Sequence, residues 1–240
     1  MLQAREENML LAALPEAERE RLSPYLEKVV LEFQQVLIEP NKEITKIYFP
    51  YDAITSTIQE MSDGSTVETG LMGLEGFAGV HLWLHARTTP SRTFIQVAGT
   101  AHVMRASDFI RQVRDTDSPL NELCAKYVHA FLVMTSQTAA CNRLHPINER
   151  LCRWLKLIHN RLRRDEFPMR QEFMALMLGV HRPTVSTAAN MLQQAGLIRY
   201  SRGQMRIVDP EGLRNGSCEC LELMEQQVEK IFEHPLRRDR

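Results

Sequence analysis

Met169–Ile207 reads MRQEFMALMLGVHRPTVSTAANMLQQAGLIRYSRGQMRI, and its spacing decides the organisation of the chain around it. Met174, Ala175, Met177 and Leu178 put an apolar face on a short helix. Gly179-Val180 follows as a tight turn, the glycine tolerating positive φ and the valine filling the angle between two helices. A second helix carries Val185, Ala188, Ala189 and Leu192 at i, i+3, i+4 and i+7. Its other face holds Arg182, Thr184, Ser186, Thr187 and Asn190, short or polar groups that can meet base edges and phosphates. Gln193-Gln194-Ala195-Gly196 closes that helix, and Leu197–Tyr200 and Gln204–Val208 are strand-like runs around Arg202-Gly203. A generic two-helix corner would account for the apolar spacing alone. The turn, the polar outer face and an Arg-bearing hairpin in this order describe a winged helix-turn-helix, with double-stranded DNA as the expected partner.

Charge is distributed unevenly in the same direction. Between Pro146 and Val208 there are 11 Lys/Arg against 4 Asp/Glu, net +7, so the rest of a chain of net charge −1 carries −8. Arg150, Arg153, Lys156, Arg161, Arg163 and Arg164 precede the helical pair, and Arg170, Arg182, Arg199, Arg202 and Arg206 lie within it. Counterion release at a phosphate backbone needs such a cluster, although single members such as Arg161, Arg163 and Arg164 also fit a solvated helix face.

The 240 residues leave room for two domains, and 44% hydrophobic content is ample for their cores. No apolar run reaches the length of a membrane span, and MLQAREENMLLAALPEAERE at the N-terminus is too charged for a signal peptide. It reads as one amphipathic helix with Met9, Leu10, Ala13 and Leu14 on one side. Five cysteines without framework spacing point to a reduced, cytoplasmic protein.

From about Val29 to Ala106 the texture changes to short β-branched and aromatic runs broken by Gly, Pro and Asp. Ile44–Phe49, Ile54–Met61, Thr66–Leu71, Thr93–Val97 and Ala101–Arg105 are strand candidates, with a hairpin turn at Ser62-Asp63-Gly64. Many short strands at close spacing predict a small antiparallel roll. Leu120–Leu144 is then a long helix without Gly or Pro, started by Ser118 as cap and Pro119 at its first position. Leu120, Leu123, Tyr127, Ala130, Met134, Gln137, Cys141 and Leu144 alternate by three and four, a seam that predicts a homodimer. A helix buried in the core of one chain would show the same pattern. Phe131, Leu132 and Val133 are apolar outside the seam and predict a second buried side, against the roll. His145-Pro146 breaks the helix and forms a hinge. Beyond it, Ile147, Leu151, Trp154, Leu155 and Ile158 make Pro146–Arg163 a further amphipathic helix.

Leu178–Gly203 resembles the DNA-binding domain of the Crp–Fnr family of bacterial transcription regulators. The match is specific at Gly179, Val180, Arg182, Thr184, Val185, Leu192, Gly196, Leu197 and Ile198. The resemblance implies that Arg182 contacts a guanine, with Ser186 and Thr187 in the groove behind it. The chain departs from the pattern at Pro183, where a Glu is usual, at Thr187, often a second Arg, and at Arg170, usually a Thr cap. The DNA-facing set expected is Arg170, Gln171, His181, Arg182, Thr184, Ser186, Thr187, Asn190, Arg202 and Arg206. The implied fold is α+β: an N-terminal antiparallel jelly roll like a cyclic-nucleotide-binding domain (residues 1–118), a dimerisation helix (119–145), a winged helix-turn-helix (146–210) and a C-terminal helical extension (211–240). The family's long helix carries the sensor's state to DNA, and RNA polymerase is a further partner of activators. No enzyme motif is present.

A cyclic-nucleotide pocket in that family needs a Glu on the ribose and an Arg-Ser pair on the phosphate. Aligned on Gly76-Phe77-Ala78-Gly79, the Glu position falls on Val80, and the pair is reversed as Ser91-Arg92. The resemblance therefore implies an effector other than cAMP or cGMP, a small molecule or a redox signal. A cAMP- or cGMP-responsive regulator is the alternative, as is a scaffold that uses the roll for protein contacts. The family's N-terminal iron–sulfur ligands are missing, since the first cysteine is Cys124, and His81, His85 and His102 lack paired metal spacing, so no cofactor or metal is expected. Cys218-Glu219-Cys220, taken as lying on one helix, would splay its thiols by about 200° and read as structural or modifiable thiols rather than a chelating pair.

Overall fold

Ser118-Pro119 starts the element that the rest of the chain surrounds. Ser118 Oγ accepts a hydrogen bond from Asn121 N at 3.2 Å, Pro119 occupies the first turn, and α5 runs over Pro119–Leu144 until His145 turns extended before Pro146. The computed structural model that shows this describes residues 7–114 and 117–233.

On the N-terminal side, seven strands form the roll: β1 (Glu27–Leu31), β2 (Val36–Ile38), β3 (Lys46–Pro50), β4 (Ile54–Glu60), β5 (Thr66–Met72), β6 (Arg92–Val97) and β7 (Gly99–Arg105). They pair antiparallel in two sheets, β1-β7-β3 and β2-β6-β4-β5. The β4–β5 hairpin turns at Asp63-Gly64, where Asp63 Oδ1 accepts from Ser65 N and Gly64 takes φ 81°. All five expected strands are present. β1 and β2, which sequence periodicity did not separate, complete the sheets. The N-terminal segment differs from the single helix expected: α1 (Met9–Ala12) and α2 (Glu16–Leu22) are split at Pro15, because the residue before a proline avoids helical geometry. Residues 1–6 of that expected helix lie outside the described residues. Two short helices, α3 (Val80–Trp83) and α4 (Ala106–Gln112), close the roll.

After His145-Pro146 come α6 (Ile147–Leu162), β8 (Glu166–Pro168), α7 (Gln171–Leu178), α8 (Arg182–Gln194), β9 (Ile198–Ser201) and β10 (Gln204–Ile207). The last three strands form a sheet in the order β8-β10-β9, so β8 adds an unforeseen third strand to the hairpin. The extension holds α9 (Pro210–Asn215) and α10 (Cys220–Phe232).

Two apolar clusters explain how these parts are held. In one, Leu120, Leu123, Tyr127, Ala130 and Met134 of α5 pack with the roll and with Leu221, Met224 and Ile231 of α10. The expected dimer seam therefore faces inward: those five residues and Cys141 are 0–6% exposed within a single chain. Gln137 is half-buried, donating to Cys220 Sγ, and Leu144 alone is open, at 73%. The roll and α10 claim the seam because both present unpaired apolar faces of their own. The tightest point is Gly76, where a Cβ would stand 2.0 Å from the Tyr127 ring; only hydrogen fits beneath that ring. The second side expected to be covered is covered only in part: Phe131 packs on Tyr127 and over Gly70 of the roll, Val133 is half-buried, and Leu132 is 53% exposed.

The other cluster crosses from the roll into the C-terminal domain, joining Ile54, Ile58, Phe94 and Val97 to Leu151, Trp154, Leu155 and Phe173. Phe173 meets Phe33 and Phe94 edge-on, at 5.6 and 6.0 Å between centroids. Two buried side-chain contacts pin this junction. Arg161 Nε donates to Glu75 Oε1 at 2.7 Å with both side chains almost fully buried, and Trp154 Nε1 donates to Glu68 Oε1 at 3.0 Å. Burial pushes the Glu68 carboxyl up to about 7, against the opposing pull of hydrogen bonds from Ser56 and Trp154 and the charges of Arg153 and Arg161.

Candidate nucleic-acid interface

The turn between α7 and α8 is built as its residues dictate. Gly179 takes φ 61° and closes α7, its N–H bonding Leu176 O while Val180 N reaches Ala175 O. His181 is the extended residue before α8, and Pro183 sits in the first helical turn, where no N–H is needed. Arg170 precedes α7 without a side-chain cap, the cost of having no Ser or Thr there.

Val185, Ala188, Ala189 and Leu192 are buried, at 0–4% exposed, and Phe173, Met174, Met177 and Leu178 of α7 cover them. The opposite side of α8 is open: His181, Arg182, Thr184, Thr187 and Asn190 are all exposed. Arg182 Nε is 3.1 Å from Glu172 Oε1, an exposed pair worth little in water and easily exchanged for a phosphate or a base edge. Ser186 and Gln171 behave differently from the rest of the expected set. Both are half-buried, and Ser186 Oγ donates to Gln171 Oε1 at 2.7 Å across the two helices.

The hairpin tip is Arg202-Gly203, with φ 50° and 77°. Positive φ at both central residues makes a two-residue turn that matches strand twist, and it pairs Ser201 with Gln204. Arg202, Arg206 and Arg170 are exposed, and Met169 N donates to Gly203 O, which fastens the start of α7 to the tip. Arg206 also pairs with Glu166 at 3.4 Å.

The basic cluster is smaller than the sequence indicated. Arg150, Arg153, Lys156 and Arg161 are 3–6% exposed rather than facing solvent; Arg150 donates to Leu178 O, Arg153 to Met224 Sδ and Arg161 to Glu75, which ties α6 to its neighbours. Arg163, Arg164, Arg170, Arg182, Arg199, Arg202 and Arg206 remain on the surface. One member of the outer face escaped the sequence reading. Met191, 53% exposed, continues the row Thr184–Thr187 at i+3 and i+7, and that spacing was the available signal.

Among the described residues no helix is long and apolar enough to cross a membrane. Residues 149–215 match the family model of the Crp-like helix-turn-helix domain. No curated protein matches the sequence. Several solved structures share the fold at low identity. A transcriptional regulator of the Crp/Fnr family from Eubacterium rectale is 15% identical, with 86% of this chain and 96% of that one covered at TM-score 0.61. The c-di-GMP-responsive global regulator CLP of Xanthomonas campestris is 14% identical over 80% of this chain and 99% of its own, at TM-score 0.64. FixK2 of Bradyrhizobium japonicum is 12% identical over 80% and 98%, at TM-score 0.62.

Proposed function

Since residues 149–215 form a Crp-like helix-turn-helix domain and the chain has the fold of the Crp–Fnr regulators, we propose that it binds specific double-stranded DNA as a homodimer and regulates transcription. The observation that carries this reading is α8 itself, a helix fully packed along one side and open along a row of base-reading groups on the other. Arg182 would make bidentate bonds to a guanine edge, Asn190 would read an adenine, and Thr184, Thr187 and Met191 would meet thymine methyls and phosphates. Arg170, Arg202 and Arg206 would hold the backbone on either side, while Ser186 and Gln171 fix the angle between α7 and α8.

Dimerisation is assigned to the exposed side of α5. His129, Leu132, Ser136, Ala139 and Arg143 recur by three and four along it and are exposed. Ser136, Ala139 and Ala140 are small enough for a second α5 to approach closely. Two copies would present two α8 helices to half-sites about one DNA turn apart, roughly 34 Å.

The signal is not a cyclic nucleotide. Val80 is buried and has no acceptor for a ribose hydroxyl. Ser91 Oγ already accepts from Gln59 Nε2, and Arg92 pairs with Glu60 at 3.7 Å. Charge-assisted bonds of about 1.5–3 kcal/mol each would be missing at both polar ends of the ligand.

Selection of binding sites from genomic fragments by the full-length protein tests the first part, and calorimetric titration with cAMP and cGMP the last. Enrichment of a dyad-symmetric sequence with no heat from either nucleotide is expected. Uniform retention of all fragments would overturn the DNA reading; micromolar nucleotide binding that alters DNA affinity would overturn the effector reading.

A further inference from the structure

Four side chains that are far apart in sequence converge where α5 ends. Cys141 lies in its last turn, His145 is the extended residue that terminates it, Cys218 is in the loop before α10, and Cys220 opens α10. The Cys218-Glu219-Cys220 triplet thus straddles a helix start instead of lying on a helix. Its thiols converge, contrary to the splay expected of i, i+2 positions. One donor atom from each of the four residues lies within 4.8 Å of all the others.

We propose that Cys141, His145, Cys218 and Cys220 are the four ligands of a structural zinc site that clamps the C-terminal extension to the hinge. The edges of the cluster support this directly. Cys141 Sγ and Cys218 Sγ are 3.6 Å apart, and Cys220 Sγ is 3.5 Å from His145 Nδ1. A tetrahedral zinc ion with bonds of about 2.3 Å to sulfur and about 2.0–2.1 Å to nitrogen has ligand–ligand edges of roughly 3.5–3.8 Å. Thiolates with one imidazole select a soft, tetrahedral ion of this kind. An iron–sulfur cluster is a larger body that must sit between its thiolates, and sulfurs this close leave it no room. With four protein ligands the coordination is closed, as in a structural site.

The surroundings fit the same assignment. Glu219 Oε1 lies 3.2 Å from His145 Nε2 and can accept a hydrogen bond from its N–H, which leaves the Nδ1 lone pair toward the sulfurs. Gln137 Nε2 donates to Cys220 Sγ at 3.0 Å. Three thiolates, a neutral imidazole and a divalent ion sum to −1. Buried Arg150 and Arg153 lie within electrostatic reach of these sulfurs and offset that charge. Because His145 is also the residue that breaks α5 before Pro146, occupancy of the site fixes the hinge from which α6 and the helix-turn-helix depart.

The test is metal content and spectrum of the full chain, purified under reducing conditions, incubated with zinc and freed of excess. One zinc per chain is expected. Replacement with Co2+ should give sulfur-to-cobalt charge-transfer bands and the intense visible bands of tetrahedral cobalt. Cys141→Ser and Cys220→Ser should each abolish them, whereas Cys124→Ser and Cys152→Ser should not. Glu219→Ala should weaken metal affinity about 10–100-fold while leaving the stoichiometry at one. The wild-type cobalt titration keeps the proposal falsifiable should a cysteine variant misfold. Less than about a tenth of an equivalent of metal under these conditions, an octahedral cobalt spectrum, or metal retained by the Cys141→Ser/Cys220→Ser double variant would overturn it. So would a Cys141–Cys218 disulfide in the freshly reduced protein. None of these readouts involves DNA, so failure here leaves the proposed function untouched.

Discussion

The helices α5 and α8 carry the same sequence pattern, apolar residues recurring by three and four, and the fold uses the two patterns differently. In α8 the apolar stripe Val185-Ala188-Ala189-Leu192 lies opposite a polar one, so only one orientation buries oil and wets polar groups, and the chain adopts it. In α5 nearly every side is apolar. Leu123, Tyr127, Ala130 and Met134 make one stripe, and Leu132 with Val133 and the small residues after them make another. Periodicity then locates two faces without saying which belongs to a partner. The roll and α10 occupy the stripe with the larger side chains and leave the one with Leu132, Ser136 and Ala139 to solvent. A pattern identifies a face only when the other faces contrast with it.

Charging the two sides of α5 in turn should separate them most sharply. Met134→Glu puts a buried carboxylate among Phe131, Trp154 and Met224, beside Arg153 and Arg161 whose charges already act on Glu68, and should cost about 3–5 kcal/mol, read by chemical denaturation. Leu132→Glu should change monomer stability by less than about 0.5 kcal/mol, yet convert a dimer to a monomer in sedimentation. If Met134→Glu instead yields a well-folded monomer, the inward assignment of the seam is wrong.

A second contrast lies between arginines that sequence alone groups together. Arg161→Ala strands Glu75 in the junction between roll and helix-turn-helix and should cost about 3–5 kcal/mol of stability. Arg202→Ala, on the open hairpin tip, should leave the melting temperature unchanged while flattening the salt dependence of DNA binding. Equal thermal effects from the two would show that the Arg161–Glu75 pair is not a clamp.

Glu68 supplies a smaller and more continuous effect. Its folded-state pKa of about 7 lies above the ordinary 4.5, so the native chain keeps a proton that the unfolded chain releases between those values. Stability should therefore be greatest below about pH 4.5 in this contribution and fall by about 3 kcal/mol as pH rises to 7. Glu68→Gln should remove that slope relative to wild type in urea denaturation measured across the window. An unchanged slope in the variant would place the titrating group elsewhere.

Much of this molecule is legible in its sequence, for physical reasons that also explain what is not. Ser118-Pro119, Gly179-Val180 and Arg202-Gly203 act through local backbone chemistry, and each structure forms where the residues require it. Five strands follow from β-branched runs between turn residues, but β8 is a three-residue strand, too short for any periodicity, and exists because β10 offers it an edge. Pro15 is a local signal that outweighs the apolar spacing around it, and it separates α1 from α2. The convergence of Cys141 and His145 on Cys218 and Cys220 spans more than seventy residues, so it is invisible to spacing and emerges only when α10 returns along α5. Arg150, Arg153, Lys156 and Arg161 look like a DNA-binding cluster because charge counts cannot register burial.

If the open side of α8 reads DNA sequence, Arg182 is the side chain whose loss shows it first. Binding sites selected from random duplexes by the wild-type chain should converge on a dyad with half-site centres about 34 Å apart. On that site, fluorescence anisotropy should show Arg182→Ala losing about 1–3 kcal/mol, with preference relaxed at one base pair per half-site and binding to random DNA little changed. Selection that converges on no sequence, or an Arg182→Ala protein that loses the same affinity for selected and random DNA, would contradict that role for α8.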